Sequence, residues 1–163
     1  MAAESASPVD DPTPYPPGCH EGLGELFRAD PHARSTRIEI VDFGLGWCDA
    51  RMTTATHHTN FIGPVHGGVV FSLADVALSV AGNSWGRISL ALSLEVLYAK
   101  ATRSGQEVVA RARCRTRSRR IAAFSVDIEA DGVLVATVQA LNYRTDDWHL
   151  GAEAWPESWR STY

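Results

Sequence analysis

No apolar run in this sequence approaches the ~20 residues a membrane helix needs; the longest, Val69 to Ala81, is interrupted by Ser72, Asp75 and Ser79. Cysteine is scarce and scattered. Cys19, Cys48 and Cys114 form an odd set with neither CxxC spacing nor a clustered histidine, which argues against a disulfide framework and against a zinc or other metal site. A reducing, cytoplasmic setting fits that usage. There is no excess of basic residues either: 15 Lys and Arg stand against 19 Asp and Glu, a formal charge of −4 that gives no reason to expect a nucleic-acid partner. The opening residues, MAAESASPVDD, are acidic and hold no apolar core of a secretion signal, and nothing in the chain suggests a membrane partner. What is present is ordinary for a globular domain, 163 residues of which 45% are apolar and 21% charged. A chain of that size buries roughly 68 to 70% of its unfolded surface, enough for a core without staples.

Five of the eight prolines fall within the first 17 residues, so residues 1–19 read as an irregular, flexible arm. Residues 20–145 read as the folded domain and residues 146–163, with Trp148, Trp155 and Trp159, as an aromatic tail that packs on a neighbouring surface. A short helix is expected over Leu23 to Arg28, stopping before Pro31. From Ser35 to Thr54 the pattern becomes strand-like, with a turn at Gly44 and Gly46, and residues 55–65 read as a loop. The segment after His66-Gly67-Gly68 is the most unusual: ten of the thirteen residues from Val69 to Ala81 are apolar. It predicts one helix running to about Asn83, with Gly82 or Asn83 as its stop, buried nearly all round. A single line of small and polar groups, Gly68, Ser72, Asp75 and Ser79, follows the helix at spacings of three and four. After Gly86 the period changes to two, and four long strands follow: around Ser89 to Tyr98, Val108 to Thr116, Ile121 to Glu129, and Val133 to Arg144 after the hairpin signal Asp131-Gly132. The second and third of these fit as a hairpin whose register sets the arginine row against Asp127 and Glu129. The order predicts an α+β domain, one long central helix wrapped by a curved antiparallel sheet of about six strands.

Three places could carry chemistry. Asp75 is a carboxylate on an almost wholly apolar helix, where burial is costly unless the group is paired or protonated. It either accepts hydrogen bonds from Ser72, Ser79 or a backbone NH, or serves as a general base or nucleophile in a partly dry cleft. The helix start offers unpaired NH groups at the positive end of the dipole, and Gly67 and Gly68 have no Cβ to obstruct a ligand. His66 could cap that helix, bond its own loop or touch ligand; Asn60 could donate to the same oxygen or close a turn. Gly67 and Asp75 lie ~12 Å apart along the axis at 1.5 Å per residue. A carbonyl ~3 Å from one group is then out of reach of the other, so joint action on one carbonyl requires a second subunit. Third, Arg115, Arg117, Arg119 and Arg120 gather at a hairpin end, as a solvated turn or as a dock for phosphates.

The run Asn60-Phe61-Ile62-Gly63-Pro64-Val65-His66-Gly67-Gly68, followed by Phe71-Ser72-Leu73-Ala74-Asp75-Val76-Ala77, resembles the signature of hotdog-fold acyl-CoA thioesterases, with the phenylacetic-acid-degradation type the nearest branch. The resemblance extends from about Ser35 to Arg144. It implies a sheet wrapped on a helix, dimers that often pair into tetramers, and hydrolysis of a small or aromatic acyl-CoA at the dimer interface. By position it implies Gly67 NH as the helix-tip donor, Asn60 as the loop asparagine, Asp75 as the catalytic carboxylate and Ser93 as a hydroxyl that helps hold water. His66 matches the motif histidine. Gly68 and Ser72 line the substrate path, and Arg117, Arg119 and Arg120 become candidates for holding the nucleotide part of coenzyme A. No cofactor is implied, coenzyme A being part of the substrate. Two rivals remain. One is a hotdog hydratase or dehydratase acting on an enoyl thioester, which lacks its Asp-x4-His pair here because Asp49 is eight residues before His57. The other is a noncatalytic acyl-CoA-binding protein.

Overall fold

The computed structural model describes residues 13–163. The Pro-rich arm expected over 1–19 therefore lies largely outside the described residues. Helix α1 (Cys19–Arg28) and a short α2 (Pro31–Ser35) lead into the hairpin β1 (Glu39–Gly44) and β2 (Trp47–Thr53). Helix α3 (Gly67–Asn83) follows, then β3 (Arg87–Tyr98), β4 (Glu107–Arg117), β5 (Ile121–Ala130), β6 (Val133–Trp148) and a terminal α4 (Glu157–Thr162). The six strands form one antiparallel sheet in the order β1-β2-β4-β5-β6-β3. This is the hotdog arrangement.

Helix α3 can sit deep in the sheet because both surfaces are built from small residues. Ala74, Ala77 and Ala81 on the helix and Ala110, Ala112, Ala122 and Ala136 on the strands are all fully buried. Leu73, Leu78, Phe124, Val126 and Ile128 fill the space between them, at the close packing that protein interiors require. The β4–β5 register sets Arg111 opposite Asp127, and Arg111 donates to Glu129 at 2.7 Å. The opposite row of Ala110, Ala112 and Cys114 faces the helix, fully buried. Asp131 and Gly132 take φ of 48° and 77°, the two left-handed positions of a tight hairpin.

The structure refines three local expectations. Pro31 does not merely end α1: with Asp30 accepting from Ala33 N at 2.7 Å it opens α2 as a capped first turn. Of the two stops expected for α3, Gly82 and Asn83, the helix takes Asn83, its last residue, rather than Gly82. That glycine lies inside the helix, where a Cβ would run into the Asn142 side chain, and the chain turns instead through Ser84 and Gly86, whose φ is 86°. Residues 55–65 contain a 3-10 turn at Thr56–His58 and a bridge between Thr59 and Val65. The aromatic tail folds back on the domain: Trp159 Nε1 donates to Trp85 O at 2.9 Å and Trp155 Nε1 to His149 O at 2.7 Å.

Candidate active site

The stripe read along α3 is the helix's open line. Gly68 and Ser79 are exposed, Ser72 and Asp75 are half-buried, and the residues between them are buried or half-buried. At its N-terminus His66 caps the helix, its Nδ1 accepting from Gly68 N at 3.0 Å. The capping ring therefore carries its proton on Nε2. Gly68 NH is thereby occupied, whereas Gly67 NH has no partner among the described residues. Tyr98, at the end of β3, donates its hydroxyl to Gly67 O at 2.9 Å and holds the helix tip from the side. Asn60 Oδ1 accepts from Ile62 N at 2.9 Å and Asn60 N donates to Pro64 O at 2.8 Å, closing the loop. The amide nitrogen of Asn60 is left as the end available to a ligand. Asn60, Gly67, Tyr98 and Lys100 share a cavity of about 410 Å³. A His66→Ala substitution removes one cap and is expected to lower stability by about 1 kcal/mol, with Asn at the same position restoring most of it, as read by denaturant unfolding.

Asp75 opens into a different cavity of about 610 Å³, with largely apolar walls that include Leu26, Phe27, Ile40, Val76 and Val80. Its carboxylate has no hydrogen bond or ion pair among the described residues. Burial pushes its pKa above the ordinary aspartate range, and the nearby His32, when charged, pulls the other way. The structural alternative, in which Ser72 or Ser79 ties up the carboxylate, is not what the chain does. Ser72 Oγ instead meets His32 Nε2 at 2.5 Å. At the far end of the cavity, His149 Nε2 contacts Asn83 Oδ1 at 2.8 Å, and burial lowers the His149 pKa. His32, His149 and Tyr98 drew no functional reading in the sequence, because each comes from a segment far along the chain from α3.

The remaining sequence candidates are spread more widely. Gly68 and Ser72 line a third, smaller cavity of about 280 Å³ with His32, His58 and His66. Ser93 is exposed on β3, beside a register shift, and lines none of these cavities. Arg119 and Arg120 both donate to Asp146, at 3.3 and 2.6 Å, and Arg117 donates to Thr162 O at 3.0 Å while lying over the Trp85 and Tyr163 rings. These arginines are engaged with the chain itself rather than forming an open basic face.

Residues 62–137 match the thioesterase superfamily. The sequence is 26% identical over 103 residues to the acyl-coenzyme A thioesterase PaaI of Escherichia coli, covering 63% of this chain and 74% of that one. The structure of the E. coli PaaI protein from the phenylacetic acid degradation operon superposes with a TM-score of 0.74 at 23% identity, over 78% of this chain and 93% of that one. The TT0310 protein of Thermus thermophilus superposes with a TM-score of 0.69 at 30% identity, over 71% of this chain and 98% of that one. With this topology, and with the glycine-tipped helix and its acidic residue inside the matched segment, the chain belongs to the thioesterase superfamily, among the PaaI-like hotdog members.

Proposed function

We propose that this acyl-CoA thioesterase hydrolyses a small or aromatic acyl-CoA to the free acid and coenzyme A at sites completed by a second copy of the chain. The observation that carries the reading is the division of labour along α3. An unpartnered Gly67 NH opens into one cavity, and an unpartnered carboxylate with a raised pKa opens into another, ~12 Å further along the axis. Neither half suffices alone, because a thioester carbonyl bonded to the helix tip is beyond attack range of the same chain's Asp75.

What favours a second copy is the edge of the sheet. β3 is 12 residues long, and its outer ladder has no neighbour among the described residues. It exposes Leu90, Leu92 and Leu97 at 57, 58 and 67%, and the nearby loop tip exposes Phe61 fully. The opposite edge, β1, is only six residues long and carries Glu39 and Asp42. Long apolar edges are normally covered, and a twofold pairing of β3 with itself covers this one while bringing two α3 helices into proximity.

In such a dimer the Gly67 NH, assisted by the Asn60 amide, donates to the thioester carbonyl oxygen and stabilises the negative charge that develops on it. One donor of this kind is typically worth ~3 to 4 kcal/mol. Asp75 of the second copy draws a proton from water as its oxygen adds to the carbonyl carbon, or adds directly and is released by water. In either route the C–S bond breaks, the thiolate takes up a proton, and the acid and the thiol leave. Ser93, on the pairing strand, is proposed to hold the water. The test is release of free thiol from saturated acyl-CoAs across short, long, branched and aromatic acyl groups. Turnover is expected to be concentrated in the short or aromatic members. An absence of thiol release from every member, with enoyl-CoA hydration in its place, would replace this reading by a hydratase.

A further inference from the structure

Helix α2 is only five residues long, yet it is fastened at both ends. Asp30 caps its first turn, and Ala33 anchors it in the core. Three donors converge on the carbonyl of His32: Ser35 Oγ at 2.9 Å, Thr36 Oγ1 at 2.7 Å and Thr36 N at 3.0 Å. What this mounting presents to α3 is the His32 ring, whose Nε2 lies 2.5 Å from Ser72 Oγ. Ser72 stands three residues before Asp75, on the same open line of the helix. His32 and Asp75 also share the walls of the cavity of about 610 Å³. The other titratable groups on those walls are engaged elsewhere: Asp30 Oδ1 accepts from Ala33 N, and His149 Nε2 is bonded to Asn83 Oδ1. From β1 and β3 the walls receive only Ile40, Ile88, Ser89 and Leu90, which carry no charge.

We propose, resting on Asp75 as the base, that His32 is a positioning residue that keeps the Ser72 hydroxyl off the carboxylate and sets a cation beside it. On a helix, a hydroxyl three residues ahead of a carboxylate is a close competitor for a hydrogen bond to it. A serine bonded there would occupy a lone pair needed for the water and would make the carboxylate a weaker base. Whichever partner carries the shared proton, the bond to His32 fixes Ser72 Oγ where it makes no hydrogen bond to Asp75. The charge acts separately. Burial raises the Asp75 pKa and a charged His32 pulls it back toward the ordinary range, so that the carboxylate is ionised over a wider span of pH. His32 precedes the segment that matches the family, residues 62–137.

The His32 ring is exposed, so substitutions there leave the core intact and separate the two contributions. His32→Ala frees Ser72 and should lower kcat on the neutral plateau about tenfold with little change in KM, a part of what a positioned base contributes. Adding Ser72→Ala to His32→Ala removes the competing hydroxyl and should restore most of that loss, which a purely structural defect would not allow. His32→Gln keeps an amide partner for Ser72 but carries no charge. It should lose less on the plateau than His32→Ala. An imidazole is charged in the acid range where a carboxylate titrates, so without it the acid limb of kcat should move to higher pH. Titration of the Asp75 carboxyl by carbon-13 NMR, assigned with Asp75→Asn, should show the same upward displacement in His32→Gln without any turnover. The proposal is overturned if Ser72→Ala restores nothing, or if the carboxyl titrates in His32→Gln as it does in the parent. If no acyl-CoA releases thiol, the hydrolytic reading falls, and the carboxyl titration alone decides whether His32 acts on Asp75.

Discussion

Replacing Asp75 by asparagine is expected to lower kcat by roughly 10²- to 10⁴-fold, the usual worth of a positioned base, while raising the stability of the protein at neutral pH. The two effects have one cause. The carboxylate has been taken partly out of water without a hydrogen bond or a cation bonded to it, and its pKa is raised by that burial. The folded chain therefore holds the proton more tightly than the unfolded chain does. The favourable contribution is complete below the ordinary carboxylate pKa and is lost as pH rises through the higher folded value, so at pH 7 the ionised group is a net cost to folding. Asparagine, which cannot ionise, removes that cost. Urea midpoints of parent and variant should converge at low pH and separate in favour of the variant near neutrality. The acid limb of the parent's kcat profile should fall above the ordinary aspartate range, since the base works only when ionised. A variant that loses turnover and stability together would identify Asp75 as a structural partner instead.

Most of the fold was legible because the periodicities are strong. Asp131-Gly132 marked the β5–β6 hairpin, the arginine and acid rows fixed the β4–β5 register, and the change of period after Gly86 marked the step from helix to sheet. One element escaped the sequence because a residue type serves two purposes: Pro31 ends one helix and begins another. Of the two stops open for α3, Asn83 is the one used, and Gly82 lies within the helix because the Asn142 side chain leaves no room for a Cβ. Of the site, α3 was readable because Gly67, Asp75 and their spacing lie in one segment. The His66 cap was among the readings open to the sequence because it is local, Nδ1 accepting from Gly68 N, whereas the contact of His32 with the Ser72 hydroxyl depends on where a distant segment folds, and no local pattern records it. The arginine cluster was visible as a hairpin end. Its burial was not, because Arg87 and Arg144 join it from β3 and β6, and Arg160 from α4.

A two-chain site makes a sharper demand than the loss of activity in any single variant. Gly67→Ala places a methyl at the helix tip, 3.0 Å from Tyr98 Cζ and 3.1 Å from its hydroxyl. Tyr98 is an exposed side chain that can swing aside, so the helix should survive. The intruding methyl and the displaced ring should keep a thioester from bonding to the Gly67 NH, and kcat should drop by about 10²- to 10³-fold. Homodimers of this variant and of Asp75→Asn are then both nearly inactive, each for want of one half of every site. Co-expressed with separable tags, the two chains also form mixed dimers. One of the two sites in a mixed dimer joins an intact Gly67 from the Asp75→Asn chain to an intact Asp75 from the Gly67→Ala chain, while the other site carries both lesions. Purified mixed dimers should therefore recover about half of the parental turnover per dimer, and an unfractionated equal mixture about a quarter. If glycine tip and carboxylate worked within one chain, every site in the mixed dimer would keep one lesion and no activity would return. Recovery thus depends only on whether the ~12 Å between the two groups along α3 is bridged by a second helix.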